Sequence, residues 1–153
     1  KTHHEYSLEI YGEGPEKHAL MKTASSLGVA GAVHLPGQSK TLLPDINDST
    51  MFVLSSNYEG MPNVLIEAMA CGLCCIATDC PIGGVRSLLQ SGENGLLIPI
   101  EDERALLDAM TAVADDPELA ARLGTNARQI QQRLDETVIA AEWRRYLETI
   151  VDR

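Results

Sequence analysis

"SSNYEGMPNVLIEAMACG", Ser55–Gly72, decides how the rest of the chain is read. It opens on a Ser/Asn/Gly/Pro-rich turn and continues into an apolar run with helical character. Two glutamates mark it, Glu59 in the turn and Glu67 in the helix, with seven residues between them. Pro62 suits the first helical position and Gly72 stands just past the end, which predicts a helix over 62–71. "MFVLSS" just before it reads as a buried strand, and "CCIAT" just after it as the next strand. Strand, turn, helix and strand in close succession make a parallel strand–helix–strand unit.

The pattern extends in both directions. "YSLEIYG" alternates apolar and polar residues and leaves into "GEGP", a strand over 7–11. "EKHALMKTASSLG" has helical spacing, with Gly28 as its stop. "AVHLPG" is a short strand, and "SKTLLPDIND" a brief helix or turn limited by Pro44. Downstream, "DCPIGG" is an exit loop, "VRSLLQ" a short helix, "GENG" a turn and "LLIPI" a strand. Helical stretches over 102–114, 117–132 and 136–151 close the chain, with acidic residues near their starts and arginines towards their ends, as the helix dipole favours. The expected fold is α/β, a Rossmann-like parallel sheet flanked by helices.

Composition narrows the function classes. The 153 residues suit one domain, 1–153. Hydrophobic residues make up 44% and aromatics only 4%, so the core must be aliphatic. The net charge of −10 argues against nucleic acid, whose phosphates need clustered Lys and Arg. A small anionic ligand stays open, because backbone amides hold phosphate without cationic side chains. The apolar runs are too short to span a bilayer. "KTHHEYSLEIYG" reads as no signal peptide and as a start inside a longer protein. Cys71, Cys74, Cys75 and Cys80 have a C-x2-C-C-x4-C spacing that admits zinc or redox chemistry. Cys74 and Cys75 fall in a strand and no second ligand pair exists, so packing as small hydrophobes is the better reading, in a reduced, cytosolic chain.

In parallel sheets, ligands lie beyond the carboxyl ends of the strands. "VLSS" therefore delivers residues 57–63 to the ligand edge. The helix starting at Pro62 offers unpaired amides there, at Asn63, Val64 and Leu65, since Pro62 has no N–H. That is a site for phosphate or diphosphate. Carboxylates repel phosphate but accept hydrogen bonds from hydroxyls. A ligand with a diphosphate between two hydroxyl-rich rings, a nucleotide sugar, satisfies both demands. Glu59 is placed to reach the sugar and Glu67 the ribose, as acids read ribose hydroxyls in dinucleotide folds. Gly60 permits close backbone approach. The plainer readings are a solvated turn residue for Glu59 and an exposed helix residue for Glu67. Glu67 sits between Ile66 and Ala68, however, where a buried carboxylate calls for a ligand or a fixed partner. His34 reads as core or edge packing, His18 as helix surface, His3 and His4 as frayed terminus, and Trp143 and Tyr146 as helix packing or, in a whole enzyme, as part of a helix that bridges the lobes.

The Ser55–Gly72 stretch resembles the signature of retaining GT-B glycosyltransferases of group 1, the family 4 class. "LEIYGEGPEKHAL", "VHLPG", "NGLLIP" and "DERALLDAMTAVADDPELAARLGTNAR" extend the resemblance over nearly the whole chain. It implies the nucleotide-sugar lobe of a two-lobed enzyme that transfers a sugar, with retention, from a UDP- or GDP-linked donor to an acceptor hydroxyl in polysaccharide or glycoconjugate synthesis. Glu59 would contact the donor sugar at the reaction centre and Glu67 the ribose. The backbone from Met61 through Pro62, Asn63 and Val64 to Leu65 would hold sugar and diphosphate. Gly12 and Gly14 would lie near the nucleotide, and Pro36 and Gly37 near the base. No cofactor and no metal are implied. A saccharide or lipid-linked acceptor, and any contact with the inner face of the membrane, would come through an N-terminal domain that this stretch lacks.

Three departures from the family pattern bear on that expectation. Cys74 stands where the family has Pro, and Ser87 where it often has Glu, while nearby Arg86 is a candidate phosphate contact. The family's opening strand, with an Arg and a Lys on the diphosphate, has no counterpart before Lys1. Strand 7–11 would then pair with 51–55, or the gap would be filled from a neighbouring molecule or a longer chain. The alternative function is a non-catalytic nucleotide- or protein-binding module. A receiver-like signalling domain is disfavoured, because "VLSSN" offers no Asp at the strand end.

Overall fold

In a computed structural model of the protein, residue 3 and residues 5–151 are described. His4 lies outside the described residues. The chain divides into two compact units, Lys1–Asp45 and Ile46–Arg153.

The first unit carries two parallel strands, β1 (Leu8–Tyr11) and β2 (Val33–Gly37), linked through helix α1 (Lys17–Ser26). The helix ends as its sequence demands: Gly28 takes φ +72°, which glycine adopts without strain. A turn of 3₁₀ helix, Ala30–Ala32, leads into β2, and a short helix α2 (Leu42–Ile46) follows. His3 is not merely frayed: its ring accepts or donates a hydrogen bond with Glu5 at 3.2 Å and meets Tyr6 edge-on.

The second unit holds a three-stranded parallel sheet in the order β3 (Met51–Leu54), β4 (Cys74–Thr78), β5 (Leu96–Ile98). Among the described residues β1 pairs with β2 and β3 with β4, and the direct pairing of 7–11 with 51–55, one of the arrangements the sequence leaves open, is not among the pairings formed. The sheet order also corrects the reading of β3 as a buried strand. As an edge strand it is half-buried, whereas central β4 is buried at every position. Between β3 and β4 runs α3 (Asn63–Cys71), and between β4 and β5 runs α4 (Gly84–Leu88). After β5 come α5 (Glu103–Asp115), α6 (Pro117–Ala127), α7 (Ile130–Arg133) and α8 (Glu136–Val151).

The core follows the strand period. Cys74 and Ile76, two apart on β4, face Ile98 of β5, Val113 of α5 and Leu123 of α6. Burial pushes the Cys74 thiol up to about 11 and raises that of Cys75 as well, so both stay neutral and pack as apolar groups. All four cysteines are free. Aspartates start two of the late helices: the Asp102 carboxylate accepts from the amide of Ala105 and the Asp116 carboxylate from that of Leu119, each at 2.9 Å. The stretch 117–132 is not one helix. At Arg128–Gln129 the bonds tighten to three-residue steps, Gln131 to Arg128 and Gln132 to Gln129, and the axis restarts as α7. No helix among the described residues is long and apolar enough to cross a membrane.

Candidate functional site

The turn between β3 and α3 is fastened before it reaches Glu59. The Thr78 hydroxyl, at the end of β4, donates to the carbonyls of Leu54 and Ser56. The Cys80 thiol donates to the same Ser56 carbonyl at 2.9 Å. The Ser56 hydroxyl in turn donates to Oε1 of Glu59 at 2.8 Å, and the glutamate is half-buried. Glu59 is therefore held by its own turn rather than loose in solvent. One residue further, Gly60 lies against Gly84 at the start of α4. A Cβ built on Gly84 would come within 1.5 Å of the Gly60 carbonyl oxygen, so the loops leaving β3 and β4 touch backbone to backbone.

Pro62 is fully buried and precedes the helix instead of occupying its first turn. Its carbonyl accepts from the amides of Leu65 at 3.0 Å and Ile66 at 3.2 Å, which starts α3. This corrects one expectation: the Leu65 amide is spent on Pro62, and the Leu65 side chain is fully buried. Among the described residues the amides of Gly60, Met61, Asn63 and Val64 have no partner. They form a run of free donors at the positive end of a helix dipole. Glu67 stands four residues after Asn63, on the same face one turn along. It is half-buried, with no hydrogen-bond partner among the described residues. Of the two possibilities the sequence leaves for Glu67, a ligand or a fixed partner, no fixed partner is present among the described residues.

The far end of α3 is anchored too. Gly72 adopts φ +79°, and the amides of Gly72 and Leu73 close on the carbonyls of Met69 and Ala68 in a Schellman arrangement. Arg128 donates to the Cys71 carbonyl at 2.7 Å and Gln131 to the Ala70 carbonyl at 2.8 Å. A Cβ on Gly124 would lie 2.1 Å from the Gly72 carbonyl oxygen, which sets how closely α6 meets the end of α3.

The remaining sequence-derived site residues belong to the first unit. The Gly12 amide donates to the Gly37 carbonyl at 2.9 Å, and Gly12 and Gly37 have φ of +128° and +89°. A Cβ on Gly37 would strike the Glu13 carboxylate, whereas Gly14 is exposed with open space about it. Gly12 and Gly37 thus meet, and Gly14 does not join them. Arg86 is already engaged: its Nε and an Nη both donate to the Asp79 carboxylate, which holds Asp79 below the usual carboxylate range. Ser87 donates to the Gly84 carbonyl at 2.7 Å, so the place of the family's glutamate is taken by a local loop bond. Among the described residues no group of three or more His, Cys, Asp or Glu is placed to hold a metal ion.

Comparison with known proteins bears on this arrangement. Residues 1–130 match the sequence family described as glycosyl transferases group 1. This chain belongs to that family. It is 30% identical over 152 residues to an exopolysaccharide phosphotransferase of Streptomyces coelicolor, covering 99% of this chain and 16% of that protein. It is 30% identical over 122 residues to the N-acetyl-alpha-D-glucosaminyl L-malate synthase of Bacillus anthracis, covering 80% of this chain and 32% of that enzyme. An S. aureus TarM variant, crystallised with fondaparinux, alpha-GlcNAc-glycerol and UDP, superposes with a TM-score of 0.82 at 27% identity, over 89% of this chain and 27% of that one. Anabaena HepE in complex with UDP shares the fold at a TM-score of 0.86 and 21% identity, over 96% of this chain and 42% of that one. The group 1 chain thus spans less than half the length of these proteins, and its fold is the Rossmann-like architecture of a GT-B lobe.

The structure of this group 1 chain also adds residues that the sequence did not single out. Ser56, Thr78 and Cys80 fix the Glu59 turn. The spacing Ser56-x-x-Glu59 is a legible local signal, since a Ser hydroxyl reaches a carboxylate three residues on. Thr78 and Cys80 act across more than twenty residues of sequence, and only the sheet pairing brings them there.

Proposed function

We propose that this chain is the donor-binding lobe of a retaining glycosyltransferase acting in polysaccharide or glycoconjugate synthesis. The observation that carries the reading is the run of unpartnered amides at Gly60, Met61, Asn63 and Val64, with a carboxylate on the turn before it and another one turn into the helix. Amides of this kind suit the diphosphate of a UDP- or GDP-linked sugar. Glu59, steadied by Ser56, accepts hydrogen bonds from sugar hydroxyls, and Glu67 from the ribose diol. As the bond from the anomeric carbon to the diphosphate oxygen breaks, negative charge grows on the leaving group. Donors already aimed at that charge lower the barrier without reorganising. The new bond to the acceptor oxygen forms on the face that the diphosphate leaves, as the hydroxyl proton passes to the departing diphosphate oxygen, which gives retention. Family membership supports the reaction class, and the UDP held by the S. aureus TarM structure is consistent with the donor class. The reading needs no cofactor or metal. Acceptor recognition, saccharide or lipid-linked, belongs to other parts of a full-length enzyme, at the cytoplasmic face.

Titration calorimetry with UDP, GDP and their sugars tests this. The expected result is binding of one nucleotide-sugar series, weakened about 10- to 100-fold by Glu67→Ala, the range for charge-assisted hydrogen bonds. Undiminished binding in the variant would remove Glu67 from the site. The chain alone is expected to show little transferase activity, and robust turnover would overturn that. One observation favours a second reading, a non-catalytic nucleotide- or protein-binding module: Ser87, bonded to Gly84, supplies no carboxylate to the sugar side.

A further inference from the structure

The turn that carries Glu59 is fastened at three places, and the third involves a residue not so far assigned. The first is the Ser56 carbonyl, taken by Thr78 and Cys80. The second is the backbone contact of Gly60 with Gly84. The third is Asn57, whose Nδ2 donates to Oε1 of Glu101 at 3.2 Å across 44 residues of sequence. Glu101 follows β5, so the turn is tied in succession to the exit of β4, the start of α4 and the exit of β5.

Glu101 has an unfavourable backbone. Its φ is +57°, and apart from Ile82 it is the sole non-glycine residue with positive φ among the described residues. Glycine occupies that region freely, whereas a side chain raises its energy. The sheet exit alone would be better served by glycine. The carboxylate has one hydrogen-bond partner among the described residues, the Asn57 amide, two residues before Glu59. Strain of this kind, kept at a ligand edge, is a pointer to function.

We propose that Glu101 is a positioning residue: its carboxylate, through Asn57, sets the Glu59 turn against the free amides of α3. The inference rests on that turn being the sugar-side wall of a nucleotide-sugar site. It assigns Glu101 to recognition of the sugar, and not to the diphosphate, which the helix amides hold independently.

Glu101→Gly and Glu101→Gln separate backbone from side chain. Gly relieves the strained angle and deletes the acceptor; Gln keeps both the angle and an acceptor oxygen. In the Gly variant the thermal midpoint is expected to hold or rise, as when glycine replaces a left-handed residue. The NMR order parameters of the backbone amides of residues 56–60 are expected to fall from the rigid towards the flexible range, while those of 66–70 do not change. Affinity for UDP-glucose or GDP-mannose, relative to UDP or GDP alone, is expected to fall about fivefold, as for loss of one hydrogen bond. Gln should restore both the order and the affinity ratio. Unchanged order over 56–60 in the Gly variant overturns the proposal, as does a Gln variant no better than Gly. If the order parameters respond as expected but the unaltered protein binds none of the four probes, the tie between Glu101 and the turn stands and the nucleotide-sugar reading falls. If the probes bind and their affinity ratio is unmoved by Gly, the nucleotide-sugar reading stands and the positioning role falls.

Discussion

Asp79 shows how a single residue near the ligand edge reports its surroundings. Its carboxylate accepts two hydrogen bonds from Arg86, and this pairing lowers its pKa from the ordinary 3.8. A carboxyl with a depressed folded value adds stability above its unfolded pKa and loses it as pH falls through the folded value. Asp79→Asn should therefore cost the same at pH 7 and pH 5, with the difference shrinking in acid below the ordinary 3.8. The effect is small, because the guanidinium is exposed. An NMR titration of the Asp79 carboxyl checks the cause: Arg86→Ala should return it towards the ordinary value. The strand, turn and helix that carry the two glutamates were legible from residue type and spacing. The partners of that turn were not. Thr78, Cys80 and Glu101 meet it only because β3, β4 and β5 lie side by side, and nothing local in "CCIATDC" or "LLIPIED" announces a hydrogen bond to residue 56 or 57.

At the scale of the element, α3 is fixed at both ends by different means. Its start is set by a buried proline whose carbonyl accepts two amides, and its end by Gly72 together with the side chains of Arg128, just past α6, and Gln131 of α7. Position 124 is the tightest part of that anchor. Gly124→Ala would force a methyl group onto the Gly72 carbonyl, and is expected to cost about 1–3 kcal/mol in a denaturant melt, the range for overpacking. On the proposed function, the same variant should weaken nucleotide-sugar binding, because a shift at one end of a short rigid helix is carried to the amides at the other. Element boundaries were readable at Gly28, Gly72, Asp102 and Asp116, whereas Pro62 precedes α3 and Pro44 lies inside α2 instead of limiting it. The break at Arg128–Gln129 was not readable, because "ARQIQQ" keeps an unbroken helical spacing. There the side chain of Arg128 reaches back to cap α3, and the tertiary contact outweighs local preference.

Over the whole molecule, the family is written in a few segments at fixed intervals, and the alternation of strand and helix between them gives the sheet. What composition could not give is how far the last helix is covered. Trp143 and Tyr146 were read as packing residues, yet they are 60% and 58% exposed and meet one another edge-on at 6.0 Å. Leu147, Ile150 and Val151 continue the same exposed apolar surface on α8. Periodicity shows that a helix has an apolar face, but not whether anything lies against it. Trp143 is the sole tryptophan, so the fluorescence of the protein reports this helix directly. Acrylamide should quench it nearly as well in the native state as in denaturant. Marked shielding would show that α8 is covered in solution.

The adjoining glycines at 83 and 84 carry a stereochemical lesson. Gly83 has open space where a side chain would stand but a φ of +82°, while Gly84 has no such φ and no room at all. Handedness limits the first and volume the second. In a semisynthetic protein, a mirror-image alanine at position 83 finds its preferred torsion angles there. An ordinary alanine at 84, the least addition chemistry allows, has to push the Glu59 turn out of place.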